Sequence, residues 1–69
     1  MDRVLLGVRG MDTEESKTKV TTRLQGLEGV SKVEATNDQQ LFVEYDPGVL
    51  TVMDLIRTLR SLGFLAGIE

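Results

Sequence analysis

The chain has 69 residues, 41% of them apolar, and contains no cysteine and no histidine. Below about 80 residues one core is marginal, so these residues are expected to form a single domain with no room for a large lidded active site, and nearly every apolar residue must help build the core. Without thiols or imidazoles there is no disulfide framework, no thiolate metal site and none of the usual Cys–His or Ser–His catalysis. Eight Lys and Arg against eleven Asp and Glu give a net charge of −3, the wrong sign for a phosphate-binding surface. The basic residues are scattered, and Lys17, Lys19 and Arg23 read as the solvated face of a helix. No apolar stretch approaches the roughly 20 residues that span a bilayer, and no signal-peptide core opens the chain. The expected setting is the cytoplasm.

Val4, Leu6 and Val8 alternate within Arg3 to Arg9, which predicts a strand with one buried face, broken by Gly10. A helix follows, capped by Asp12 or Thr13, with capping-box spacing from Asp12 to Glu15. Its acidic first turn complements the helix dipole, and Val20, Leu24 and Leu27 form its apolar stripe. Gly26 and Gly29 bracket its end. Val30 to Thr36 predicts a second strand with Val33 and Ala35 inward. A polar turn at Asn37-Asp38-Gln39-Gln40 leads to a third strand with Leu41, Val43 and Tyr45 inward. After the Asp46-Pro47-Gly48 turn, Thr51 caps a second helix, with Asp54 three residues on. Val52, Leu55, Ile56, Leu59 and Leu62 make one wide apolar face. Gly63 closes that helix, and Phe64, Ala66 and Ile68 alternate in a final strand. The order β-α-β-β-α-β in two similar halves predicts an α+β, ferredoxin-like βαββαβ domain over residues 1–69. It pairs a four-stranded antiparallel sheet with two helices on one face.

The segments Val8-Arg9-Gly10-Met11, Leu24 with Leu27-Glu28-Gly29-Val30, and Val43-Glu44-Tyr45-Asp46-Pro47 fall in order along this plan. Thr51, Leu55-Ile56 and Leu62-Gly63-Phe64 follow them. Together they resemble the heavy-metal-associated domain of copper chaperones and of the N-termini of metal-pumping ATPases. The resemblance covers essentially the whole chain and implies a non-catalytic binding module of metal transport. It also implies two cysteines, three residues apart, that grip a soft ion just after Gly10-Met11 and one intervening residue. Thr13 and Ser16 stand at those positions. Soft thiolates select Cu(I), whereas hydroxyls are hard and stay protonated at neutral pH. A soft metal ion is therefore not expected, and neither is a cofactor.

The alternative is a carrier of a hard ion through Asp12, Glu14 and Glu15. Consecutive helical positions do not aim at one point, and Ca²⁺ takes six to eight oxygens, so capping and dipole compensation account for these acids more simply. Three carboxylates also disfavour anion capture at this helix end. That includes an acyl-phosphate hydrolase built on Arg9, and no base–nucleophile pair for any other enzyme can be named. RNA binding on this topology needs outward aromatics, but the pattern turns Tyr45 and Phe64 inward, leaving Phe42. The expected mode of action is contact with a protein partner or self-association. Its surface would comprise Leu5, Phe42 and Leu65 as a contiguous row on the outer sheet face in strand order 4-1-3-2, with Met11 and Asp12 of the loop. In the resembled family that loop is also where chaperone and target domains dock.

Overall fold

Alternation and glycine placement set most of the fold, with departures at the cap of the first helix and at Ile68. In the computed structural model, which describes residues 1–37 and 39–68, the elements are β1 (Asp2–Arg9), α1 (Glu14–Gln25), β2 (Val30–Asn37), β3 (Gln40–Tyr45), α2 (Val52–Ser61) and β4 (Leu65–Ile68). Asp38 of the predicted turn lies outside the described residues. The strands form one antiparallel sheet in the order β2-β3-β1-β4, the ferredoxin-like plan.

Period-2 alternation turns Leu6 and Val8 of β1, Val33 of β2, and Leu41, Val43 and Tyr45 of β3 toward the helices, where all are buried. Val20 and Leu24 of α1 and Leu55 and Leu59 of α2 close the core from above, joined by Met11, Leu50 and Phe64 from the connections. The inward row of the last strand is shorter than the alternation suggests. Phe64 is buried and Ala66 packs against the core, but Ile68 is 68% exposed. It sits opposite Leu6 on a strand with no neighbour beyond it, so one flank stays open to solvent.

Thr51 and Asp54 form a reciprocal capping box. The Thr51 N–H donates to Asp54 Oδ2 at 2.8 Å, and the Asp54 N–H donates to Thr51 Oγ1 at 3.3 Å. At the other end of α2, Gly63 takes φ +94°. Its N–H donates to Arg60 O, and the Phe64 N–H donates to Leu59 O. This Schellman stop folds Phe64 back over Leu59 and aims the chain into β4. Gly29, at φ +95°, has less room for a side chain than the other described glycines for which contacts are given. A methyl group there would overlap the Leu50 side chain and lie 2.8 Å from Val49 Cβ.

Candidate functional site

The β1–α1 connection and the first turn of α1, residues 10–16, occupy one end of the sheet together with the Phe64 corner. Gly10 turns the chain at φ +95°, and a Cβ on it would press on Phe64 at 3.2 Å. Met11 then drops into the core and is fully buried. Its flexible thioether acts there as filler beneath the loop, which removes it from the surface expected to meet a partner. Asp12 is exposed.

Of the two possible caps for α1, the structure uses Thr13. Its backbone is extended (φ −117°, ψ 157°), and its Oγ1 accepts the N–H of Ser16 at 3.1 Å. The Asp12–Glu15 capping box therefore does not form: α1 begins at Glu14 and the cap position belongs to Thr13. Thr13 Oγ1 also donates to Ser16 Oγ at 3.0 Å. The two side chains at the resembled thiolate positions thus converge on one point at a helix N-terminus. The donors offered there are two protonated alcohols, and the chain has no cysteine or histidine to add. A soft cation does not fit this donor set.

The acids do not assemble an alternative. Glu14 turns toward Lys17, with Nζ–Oε1 at 3.7 Å, while remaining 92% exposed. Glu15 is exposed as well. Among the described residues, no three Asp or Glu side chains gather closely enough to hold a metal ion.

On the outer sheet face, Leu5 and Phe42 are direct cross-strand partners. Leu65 is not contiguous with them, because it pairs with Arg9, and the Gly7–Gly67 pair intervenes. The expected row is thus an adjacent Leu5–Phe42 pair and, farther along β1, a separate Leu65 that is 63% exposed. Beside Leu65 lies an open groove whose lining includes Gly7, Gly67, Arg9, Asp12 and Gln39. Sequence reasoning did not find this groove. Its signal is two glycines at strand positions, which becomes legible only once the β1–β4 register pairs them.

Fold and loop together define a class, the small ferredoxin-like domains that present a β1–α1 loop at a helix N-terminus. The Heavy-metal-associated domain family (HMA) matches residues 5–64, and the chain belongs to that family. Oxidized MerP from Ralstonia metallidurans CH34 is similar in structure, with a TM-score of 0.91 at 28% identity, over 99% of this chain and 96% of that one. A copper binding domain from HMA7, a P-type ATPase, aligns with a TM-score of 0.92 at 26% identity, covering 100% of this chain and 95% of the other. The N-terminal domain of ZntA in its Zn(II) form gives 0.85 at 25% identity, over 97% and 90% of the two chains. No curated protein matches the sequence significantly. Among the described residues no helix is long and apolar enough to cross a membrane.

Proposed function

We propose that this chain is a non-catalytic binding module that has lost the soft-metal thiolate pair of its family and works through protein–protein contacts in or near metal transport, in the cytoplasm. The observation that carries this reading is the Thr13–Ser16 pair. Its oxygens stand 3.0 Å apart at the loop–helix junction, with the convergence a ligand pair needs and without its chemistry. The working surfaces are the exposed part of the loop, led by Asp12, and the Leu5–Phe42 pair on the outer sheet face. Asp12, Glu14 and Glu15 favour a basic partner, chiefly by raising the encounter rate.

A titration tests this reading. Cu(I), Zn²⁺, Mn²⁺ and Ca²⁺ added to the purified chain, followed by calorimetry and amide chemical shifts, are expected to reveal no saturable site tighter than about 1 mM. A one-to-one site at micromolar affinity that disappears in Asp12→Ala or Glu15→Ala overturns it in favour of a hard-ion carrier.

A further inference from the structure

Gly7 and Gly67 are direct partners in the β1–β4 ladder. Alternation puts them on the outer face with Arg9 and Leu65, since Leu6 and Val8 face the core. The ladder runs here without a register shift, so no bulge calls for glycine. Gly67 has no positive φ, and a Cβ on it would meet nothing within 4 Å. Paired glycines also forgo the cross-strand side-chain contact that stabilises a sheet. Glycine in a strand, where neither conformation nor packing asks for it, often marks the close approach of a ligand or another backbone.

The gap that these glycines leave belongs to the open groove beside Leu65, about 860 Å³ in volume, within the size range of small-ligand sites. Its lining brings together a cation, an anion and an amide: Arg9, Asp12 and Gln39. The Val8 N–H donates to Gln39 O at 2.7 Å, which fastens the β2–β3 turn beside β1. Among the described residues, none of these three side chains makes a hydrogen bond or an ion pair. Arg9 and Asp12 thus share one groove without closing on each other.

We propose that this groove binds a small zwitterion of the α-amino-acid class carrying an apolar side chain. Arg9 takes the carboxylate, with the fork geometry that suits a guanidinium to that group. Asp12 takes the ammonium. The apolar side chain lies over Gly67 and against Leu65, which is 63% exposed on the same strand and face. Charge excludes other occupants. Inorganic phosphate meets the Asp12 carboxylate, and a hard cation meets Arg9 and a single carboxylate where it takes six or more oxygens. A nucleobase needs an outward aromatic to stack on, and Phe42 lies opposite Leu5, outside the lining. The site stands independently of the thiolate-loss reading, since Thr13 and Ser16 take no part in it.

Amide chemical shifts followed through titration with L-leucine, L-methionine and L-phenylalanine test the proposal. Saturable shifts at Gly7, Arg9 and Gly67 are expected, with a Kd on the order of 1 mM for at least one of them. Leucinamide keeps only the cation and isocaproate only the anion; each is expected to bind about tenfold more weakly than leucine. Arg9→Gln is expected to weaken leucine about tenfold and to leave leucinamide unchanged. Asp12→Asn is expected to weaken leucine and to leave isocaproate unchanged. A merely structural role for either residue would move leucine and its analogue together, and that result overturns the proposal. Gly67→Val has open space in the folded chain and fills the groove, so it is expected to abolish the shifts; the two charge variants decide the matter if it fails to fold. Absence of a saturable shift with all three amino acids up to about 20 mM overturns the proposal. Equal binding of leucine, leucinamide and isocaproate overturns it as well.

Discussion

Replacing Thr13 and Ser16 together by cysteine separates the shape of the loop from its chemistry. Without metal, the double variant loses the Thr13 cap, since a thiol is a weak acceptor for the Ser16 N–H now bonded at 3.1 Å. An N-cap is worth about 1 kcal/mol, which in a domain of this size lowers Tm by about 4–8 °C. With Cu(I) the sign reverses. The helix N-terminus lowers thiol pKa values and supplies thiolates near neutral pH. The 3.0 Å approach of the present hydroxyls shows that side chains at these positions converge. Free metal at about 1,000 times Kd stabilises the folded state by about 4 kcal/mol, a net gain over the parent of about 3 kcal/mol once the lost cap is subtracted. Thermal unfolding followed by circular dichroism under reducing conditions, with and without Cu(I), reads both effects, and calorimetry gives the stoichiometry. A folded double variant whose Tm does not respond to Cu(I) refutes the claim that the loop retains a ligand-pair geometry.

Gly29→Ala combines a positive φ with overlap of Val49 and Leu50, so urea denaturation is expected to show a loss of about 2–4 kcal/mol. That is most of what a core this small supplies, and a loss under about 1 kcal/mol would contradict the packing described. Asp54→Ala removes one half of the α2 capping box; chemical denaturation should register about 0.5–2 kcal/mol, while the oligomeric state stays unchanged. Phe42→Glu places a carboxylate directly opposite Glu34, a like-charge pair that costs about 0.2–1 kcal/mol. The domain is expected to stay folded by amide shifts, and binding of a protein partner to the Leu5–Phe42 surface to be lost.

Residues differ in how far their neighbours along the chain disclose their place. Leu41, Val43 and Tyr45, or Leu55 and Leu59, announce their burial because period alone decides which face they share. The Thr51–Asp54 box is equally local, complete within four residues. The α1 cap is not, because Asp12 and Thr13 are both good caps. The choice falls to the path out of Gly10, whose left-handed turn and the burial of Met11 leave Thr13 at the extended position. Leu65 is less local still. Alternation correctly puts it on the outer face, but its distance from Leu5 depends on the offset between β1 and β4, which no periodicity encodes. Ile68 carries the right parity for burial and misses it because its strand is an edge.

The site loop holds its form through groups other than the two side chains at the ligand positions. Gly10 turns against Phe64, which the Schellman stop of α2 in turn fixes over Leu59. Met11 anchors the next residue in the core, and α1 itself starts from a main-chain N–H bonded to a hydroxyl. None of these contacts requires a thiolate or a metal ion. Exchange of thiolates for alcohols at positions 13 and 16 therefore removes affinity for a polarizable cation while leaving the surface around it in place. Threonine caps a helix well, so the exchange is mild for the fold and complete for the chemistry. A domain altered in that way keeps the loop shape and the exposed Asp12, and the protein-contact role proposed above rests on that persistence.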